Sequence, residues 1–274
     1  MGEPIKSNSN RLIKEVRKIS KDRSERNRLG RFLIEGYKFA LEAINEHNAC
    51  ETVIVSESYT GLESALILDA AHVAGCEVVW VTESIMGLIS ESKTPQGVIC
   101  ICRIPEEFTP LPDPSSAIFA LSGIQDPGNI GAIIRVVAAL GQPGIVISSD
   151  CADPFSPKAA RASAGHCLSV PIRISYDLAG VIDEFRSYGA KVFAAGGGGT
   201  LTLSDCEDLS RTLVLFGSEG SGISQDLLAM TDGVISIPMA KGVESLNVAV
   251  AAGVIGYMHS GGRPGLGRSE LVES

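Results

Sequence analysis

The sequence contains no apolar run of about eighteen residues or more, the length a membrane-spanning helix needs. It opens on MGEPIKSNSN, a polar stretch without the apolar segment of a secretory signal. Both absences predict a cytoplasmic protein. Histidine is scarce, with four copies at positions 47, 72, 166 and 259, and the seven cysteines at 50, 76, 100, 102, 151, 167 and 206 include no Cys-x-x-Cys pair. An odd number of scattered thiols argues against a disulfide framework, and so few imidazoles give no support to a zinc site or other metal cage. The cysteines therefore read as small core residues, and no metal is assigned. Internal repeats and long low-complexity tracts are also missing.

What is present is a globular composition. The 274 residues are 45% hydrophobic and 20% charged, enough for one large or two modest domains. The net charge is −9, but residues 1 to 31 carry ten Lys or Arg against four acids, leaving the remainder strongly acidic. A basic arm on an acidic body suits phosphate-backbone binding, because local charge sets the counterion-release term. A solvated amphipathic helix explains the same residues.

Along the chain, GRFLIEGYKFALEAI predicts a helix, ETVIVSES a strand, LESALILDAAHVAG a helix and CEVVWVTE a strand. A short helix near SIMGLIS and a strand in GVICICRI complete this part, before IPEEFTPLPDPSS, whose four prolines mark a linker. The second part begins with the buried strand AIFALSG and continues through a helix over 129–140 and the strand GIVISSD. A short helix near 158–164, the strand SVPIRIS, a helix over 178–188 and the strand AKVFAAG follow. The strand TLVLFG, a helix over 224–230, the strand GVISIPM and a final apolar helix over 246–258 close it. Strands alternating with helices predict an α/β protein with a largely parallel sheet covered on both faces. The divisions are 1–110, 111–262, and a tail over 263–274 that reads as disordered.

Ligands of such sheets bind at the carboxyl ends of the strands, so the loops leaving them matter most. GSEGSGIS lacks the lysine of G-x-x-x-x-G-K-[ST], and GGGGT at 196–200 lacks the G-x-G-x-x-G spacing, which disfavours a phosphate cradle. The four glycines equally suit a permissive turn. In QDPGNIGAIIR, Asn129 can cap a helix on which Gly131 and Arg135 share one face. Arg135 leans back across Gly131 and leaves room for something that is not protein, or else pairs with a carboxylate such as Asp126. Glu219, between Gly217 and Gly220, can present a carboxylate to a ligand or lie as a surface acid in a glycine turn. Ser245 and Asn247 open the last helix: Ser245 is a plausible N-cap, and the Asn247 amide demands partners.

These three segments, in this order, resemble the motifs of the SPOUT methyltransferases, specifically the TrmH or SpoU family of RNA ribose 2'-O-methyltransferases. Asn129, Gly131 and Arg135 fall on the first motif, N-x-G-x-x-x-R. Gly217, Glu219 and Gly220 fall on the second, G-x-E-G, and Pro238, Ser245, Leu246 and Asn247 on the third, I-P-M followed by S-L-N. DPFSPKAARASAG is similar to the family's loop between the first two motifs, although His166-Cys167 stands where small or apolar residues are expected. The resemblance covers residues 117 to about 258 and, less specifically, the N-terminal part.

The resemblance implies an N-terminal L30e-like α/β domain that binds the RNA substrate, followed by a parallel-sheet SPOUT domain with a C-terminal trefoil knot. It implies S-adenosylmethionine as cofactor, held around Gly217, Glu219, Gly220, Ile237, Met239, Ser245, Leu246 and Asn247. Arg135 would be catalytic, with Asn129, Glu219, Ser245 and Asn247. A homodimer is implied too, and Ala249, Ala251, Ala252, Gly253 and Gly256 would let the last helix approach a neighbour, or serve packing within the chain. Structured RNA is the implied substrate, ribosomal RNA ahead of transfer RNA. A silent RNA-binding or ribosome-assembly protein is the alternative from another class.

Overall fold

The basic N-terminal segment folds as two helices, α1 (Arg11–Lys21) and α2 (Arg23–Leu29), in a computed structural model that describes residues 2–45, 49–106, 117–199, 201–202, 211–243 and 245–259. The expected tail over 263–274, most of the proline-rich linker, His47 and Cys206 lie outside the described residues. Asn10 caps α1 by accepting from the Leu12 N–H at 2.9 Å, and Asp22 caps α2 by accepting from the Ser24 N–H at 2.7 Å. Ile13, Val16 and Ile19 recur at helical spacing and are fully buried, whereas Arg11, Lys14, Arg17, Lys18 and Lys21 are exposed. The segment is thus an amphipathic helix whose apolar stripe belongs to the core, and not a detachable arm.

The chain divides into two compact units, residues 1–106 with 153–169, and residues 107–152 with 170–274. In the first, GRFLIEGYKFALEAI departs from its sequence reading. It forms a strand, β1 (Arg31–Glu35), and a helix, α3 (Tyr37–Asn45), separated by Gly36 at φ 107°. That left-handed backbone ends the strand, and an apolar run too short to distinguish the two periodicities had concealed it. Next come β2 (Cys50–Ser56), α4 (Leu62–Ala74), β3 (Glu77–Val81), α5 (Glu83–Ile89) and β4 (Val98–Arg103). The sheet order is β1-β4-β2-β3, with β2 and β3 parallel and the other pairs antiparallel. Against it pack Ile13, Val16 and Ile19 of α1 with Ile85, Met86 and Ile89 of α5.

Residues 153–169 join this unit, a departure from the contiguous division read from the sequence. Arg26, 3% exposed, donates through Nε to Asp153 Oδ2 at 2.6 Å and through Nη1 to the Ile19 and Ser20 carbonyls at 2.5 and 3.1 Å. Asp153 in turn accepts from the Phe155 N–H at 2.9 Å, and the Phe155 ring lies 5.2 Å from that of Phe32. A buried guanidinium with every visible donor directed at protein is a structural residue, not an RNA-binding one. Cys167 is fully buried, which meets the requirement for a small apolar residue there.

The second unit begins with β5 (Ile118–Leu121) and α6 (Pro127–Ala139), followed by β6 (Ile145–Ser148). The excursion into the first unit carries the short helix α7 (Pro157–Ala162). The chain then returns through β7 (Ile172–Ser175), α8 (Leu178–Ser187), β8 (Lys191–Ala195), β9 (Leu201–Thr202), β10 (Thr212–Phe216), α9 (Gln225–Ala229), β11 (Gly233–Ser236) and α10 (Val248–His259). The sheet order is β7-β6-β5-β10-β8-β11-β9 and every described pairing is parallel. Leu213 and Leu215 of β10 pack with Val181, Ile182 and Phe185 of α8. On the alternate positions, Phe216 meets Phe119 at 4.9 Å between rings. A Cβ on Gly256 of α10 would stand 2.5 Å from Leu140 and 3.0 Å from Phe119, so this glycine serves packing within the chain.

Candidate functional site

Two neighbouring parallel strands, β5 and β10, end side by side and release the loops that carry the first two motifs. Asp126, not Asn129, caps α6: its carboxylate accepts from the Gly128 N–H at 2.8 Å, and Pro127 occupies the first turn. That leaves the Asn129 side chain available for tertiary interaction. Asn247, not Ser245, heads α10, accepting from the Ala249 N–H at 2.9 Å while its carbonyl accepts from the Ala251 N–H at 3.0 Å. Its amide nitrogen faces away from the helix.

The three motifs meet at these side chains. Asn247 Nδ2 donates to Asn129 Oδ1 at 2.9 Å and to Glu219 Oε1 at 3.0 Å, and Asn129 Nδ2 donates to the same Glu219 oxygen at 3.1 Å. A carboxylate only accepts, so it fixes the orientation of both amides, and the Asn247 oxygen is thereby turned onto its own helix. Residues 118 positions apart are tied by one network.

Beside it lies a cleft of about 210 Å³ at the carboxyl ends of β8, β10 and β11. Of the residues expected at a cofactor, Gly217, Glu219, Ile237, Met239, Ser245 and Leu246 line it; Gly220 and Asn247 adjoin it without lining it. Gly196 and Gly197 line it as well. Neither the dinucleotide spacing nor a permissive turn marks GGGGT as cofactor-lining; its position directly after a strand is the signal that does.

Gly217 owes its identity to the loop itself. A Cβ there would collide with the Gly222 backbone and stand 2.6 Å from the Ile223 nitrogen, because the Gly222 N–H returns to the Ser218 carbonyl at 3.0 Å. A Cβ on Gly220 or Gly197, by contrast, meets nothing within 4 Å. Glu219 is exposed near the loop's apex, and the left-handed residue of the loop is Gly222, at φ 66°.

Arg135 is exposed on α6, and among the described residues no carboxylate pairs with it, Asp126 included. Gly131 is itself buried.

Comparison with known proteins bears on this geometry. Residues 116–257 match the SpoU rRNA Methylase family, and residues 10–100 match the MRM3-like substrate binding domain. The chain belongs to the SpoU rRNA methylase family. An uncharacterized tRNA/rRNA methyltransferase of Synechocystis sp. is 33% identical over 258 residues, covering 92% of each chain. The 23S rRNA (guanosine(2553)-2'-O)-methyltransferase RlmP of Bacillus subtilis is 28% identical over 253 residues, covering 92% of this chain and 97% of its own. In fold, an AdoMet-bound rRNA methyltransferase from Sinorhizobium meliloti superimposes with a TM-score of 0.81 at 24% identity, covering 95% of this chain and 98% of its own. The SpoU assignment and the parallel sheet agree with the motif-based expectation. Among the described residues no helix is long and apolar enough to cross a membrane.

Proposed function

We propose that this SpoU methylase transfers a methyl group to a ribose 2'-hydroxyl of structured RNA, ribosomal in preference to transfer RNA, with S-adenosylmethionine as donor. The observation that carries the reading is the Asn129–Glu219–Asn247 network, which joins all three motif segments beside the cleft and leaves Arg135 exposed nearby in sequence. The name of the Bacillus relative supports the reaction and the ribosomal substrate.

The cleft fits an adenosyl ligand. Ile237, Leu246 and Met239 offer an apolar slot, the glycines after β8 and β10 expose backbone, and the open space at Gly197 and Gly220 is what a ligand approaching backbone needs. When bound, S-adenosylmethionine supplies a methyl group made electrophilic by its sulfonium. The Ser245 hydroxyl has no partner among the described residues and stands at the cleft wall, ready to hydrogen-bond such a ligand.

The hydroxyl that accepts the methyl group must lose a proton. A guanidinium has no acceptor and stays charged, so Arg135 acts as donor, stabilising the developing alkoxide or fixing the adjacent phosphate, while the proton passes to phosphate or water. Asn129, Glu219 and Asn247 are positioning residues: Glu219 Oε1 is already engaged by two amides, and the three hold the motif loops in register. The exposed basic side chains of α1 meet the RNA backbone.

The reading extends to a cytoplasmic homodimer packed through α10, whose Val250 and Tyr257 are 52% and 53% exposed. It also includes a trefoil-knotted C-terminal segment, as in the family the motifs resemble. The test is calorimetry with S-adenosylmethionine, then methyl transfer to ribosomal and transfer RNA with mapping of the modified ribose. The expected result is binding followed by a 2'-O-methyl group on ribosomal RNA. Binding of RNA without transfer to either substrate favours the silent RNA-binding alternative.

A further inference from the structure

A second cavity, of about 80 Å³, lies wholly within the first unit and shares no lining residue with the cleft beside the motifs. Leu33 of β1, Ile89 of α5 and Ile99 of β4 give it apolar walls, and Phe39 of α3 adds an aromatic ring. Ala160 of α7 lines it as well, so the segment that the Arg26–Asp153 pair holds in this unit supplies part of the wall. A single water needs only about 10–15 Å³, whereas the cleft beside the motifs holds about 210 Å³. The second cavity therefore suits one ring system of a larger ligand, not a whole nucleotide.

The polar groups of its lining form a definite pattern of donors and acceptors. Glu35, half-buried, accepts from the Ser90 hydroxyl on Oε1 at 2.5 Å and from the Glu91 N–H on Oε2 at 3.3 Å. Each carboxylate oxygen has two acceptor sites, so each keeps one for a ligand N–H. The Gln96 amide lies against Gly36, where a Cβ would stand 2.6 Å from Gln96 Oε1, and it has no partner among the described residues. A free amide donor thus stands beside the residue that follows Glu35. Glu91, exposed, accepts from the Ser20 hydroxyl, which ties the cavity lining to α1. Arg161 of α7 also lines the cavity; it is exposed, and among the described residues its guanidinium pairs with no carboxylate.

We infer that this cavity is a guanine pocket for an extruded base of the RNA substrate, an inference that rests on the RNA methylase reading above. The carboxylates of its lining repel a phosphate and call for N–H donors. Guanine alone of the four bases presents two adjacent donors, N1–H and the N2 amino group, on its Watson–Crick edge. These match the two open sites of Glu35, while Gln96 Nε2 donates to the neighbouring O6. Adenine and cytosine set an acceptor beside their amino group, and uracil flanks its one N–H with two carbonyls, so each would bring a lone pair against the carboxylate. The apolar walls and the Phe39 ring cover the faces of the base. Ribose and phosphate stay outside, where Arg161 offers its planar fork to the phosphate. RNA and not a free nucleotide is the source, because the cavity holds only the ring and adjoins α1, whose exposed cations suit the neighbouring phosphates.

The test is a filter-binding titration of the full chain, without S-adenosylmethionine, against oligouridine carrying one central guanosine, inosine or adenosine. Guanosine is expected to bind on the order of tenfold tighter than adenosine, with inosine, which lacks the N2 amino group, between them. Glu35→Gln replaces two acceptors by one acceptor and one donor and should erase that preference, whereas a purely structural role would lower all three affinities together. Gln96→Ala, at an exposed position, should weaken guanosine binding several-fold and leave adenosine unchanged. A preference that survives both substitutions puts the base elsewhere and overturns the site. Equal affinities in the wild type, or no binding of any of the three while ribosomal RNA binds, overturn the pocket and leave the methylase reading standing. Loss of methyl transfer with the preference intact would do the reverse, and failure to bind ribosomal RNA as well overturns both. Displacement of the guanosine oligonucleotide by an equimolar amount of guanosine monophosphate would make this a free-nucleotide site and overturn the RNA assignment. The wild-type series decides the matter even where a variant folds poorly.

Discussion

Arg135 and Gly220 are the residues at which chemistry and binding separate most cleanly. A donor that acts on charge developing in the transition state should affect turnover and not cofactor affinity. Arg135→Ala is therefore expected to lose on the order of a hundredfold in single-turnover methyl transfer, with its melting curve and S-adenosylmethionine affinity unchanged. Arg135→Lys should recover little, since a point charge on a flexible stem does not reproduce a planar fork; near-normal turnover of the alanine variant would remove Arg135 from the chemistry. The glycines of the second motif give a paired test. Gly220→Ala has room in the protein's own structure, so a drop in S-adenosylmethionine affinity of roughly tenfold at unchanged melting temperature would report ligand approach. Gly217→Ala forces the loop open against Gly222, and both quantities should fall together. Unchanged affinity in Gly220→Ala would move the ligand away from this apex. The motif spacing made Gly217, Glu219 and Asn247 legible as a set. It could not reveal that Gly217 answers to its own loop or that Asn247 is both cap and crosslink, because both depend on chain returns that no local pattern records.

At the level of elements, the legible part of the fold is the part buried on both faces. TLVLFG and AKVFAAG read as strands because an interior parallel strand is an unbroken apolar run bounded by turns, and β10 and β8 fall within those stretches. RFLIE was lost inside a longer helical reading, since only the backbone at Gly36 marks the break. The basic segment shows the same limit: charge pattern alone did not distinguish an arm from a helix anchored by Ile13, Val16 and Ile19. The consequence for experiment is definite. Removing residues 1 to 31 would take away core side chains and Arg26, and any loss of RNA binding would be uninterpretable. Replacing Lys14, Arg17 and Lys21 by Gln alters exposed positions only. If these side chains meet phosphates, RNA affinity falls and the slope of log K against log salt becomes shallower by about 0.7–0.9 for each phosphate no longer neutralised, with the melting curve unchanged. An unaltered slope in a filter-binding titration would make α1 a purely structural element.

On the scale of the molecule, the buried Arg26–Asp153 pair holds residues 153–169 in the first unit, and breaking it leaves one charge without compensation. Asp153→Ala is expected to cost about 3–5 kcal/mol in urea unfolding of that unit, whereas Arg26→Met combined with Asp153→Leu should restore most of it. A loss under about 1 kcal/mol for Asp153→Ala would show that the guanidinium finds water instead. Hydrophobic periodicity gave no hint of this excursion, because it states that a segment is buried but not in which core.

The route of the chain also imposes a timetable. It leaves the first unit after residue 106, returns at 153 and leaves again after 169. During synthesis from the N-terminus, Arg26 and Phe32 emerge long before Asp153 and Phe155, their partners. The first unit must therefore wait, incomplete, while the nascent chain lays down β5, α6 and β6 of the second. An inhibitor-stalled or truncated translation product ending near residue 106 carries a guanidinium with no carboxylate to receive it, and such a product should be cleared by proteolysis where one ending beyond 169 persists.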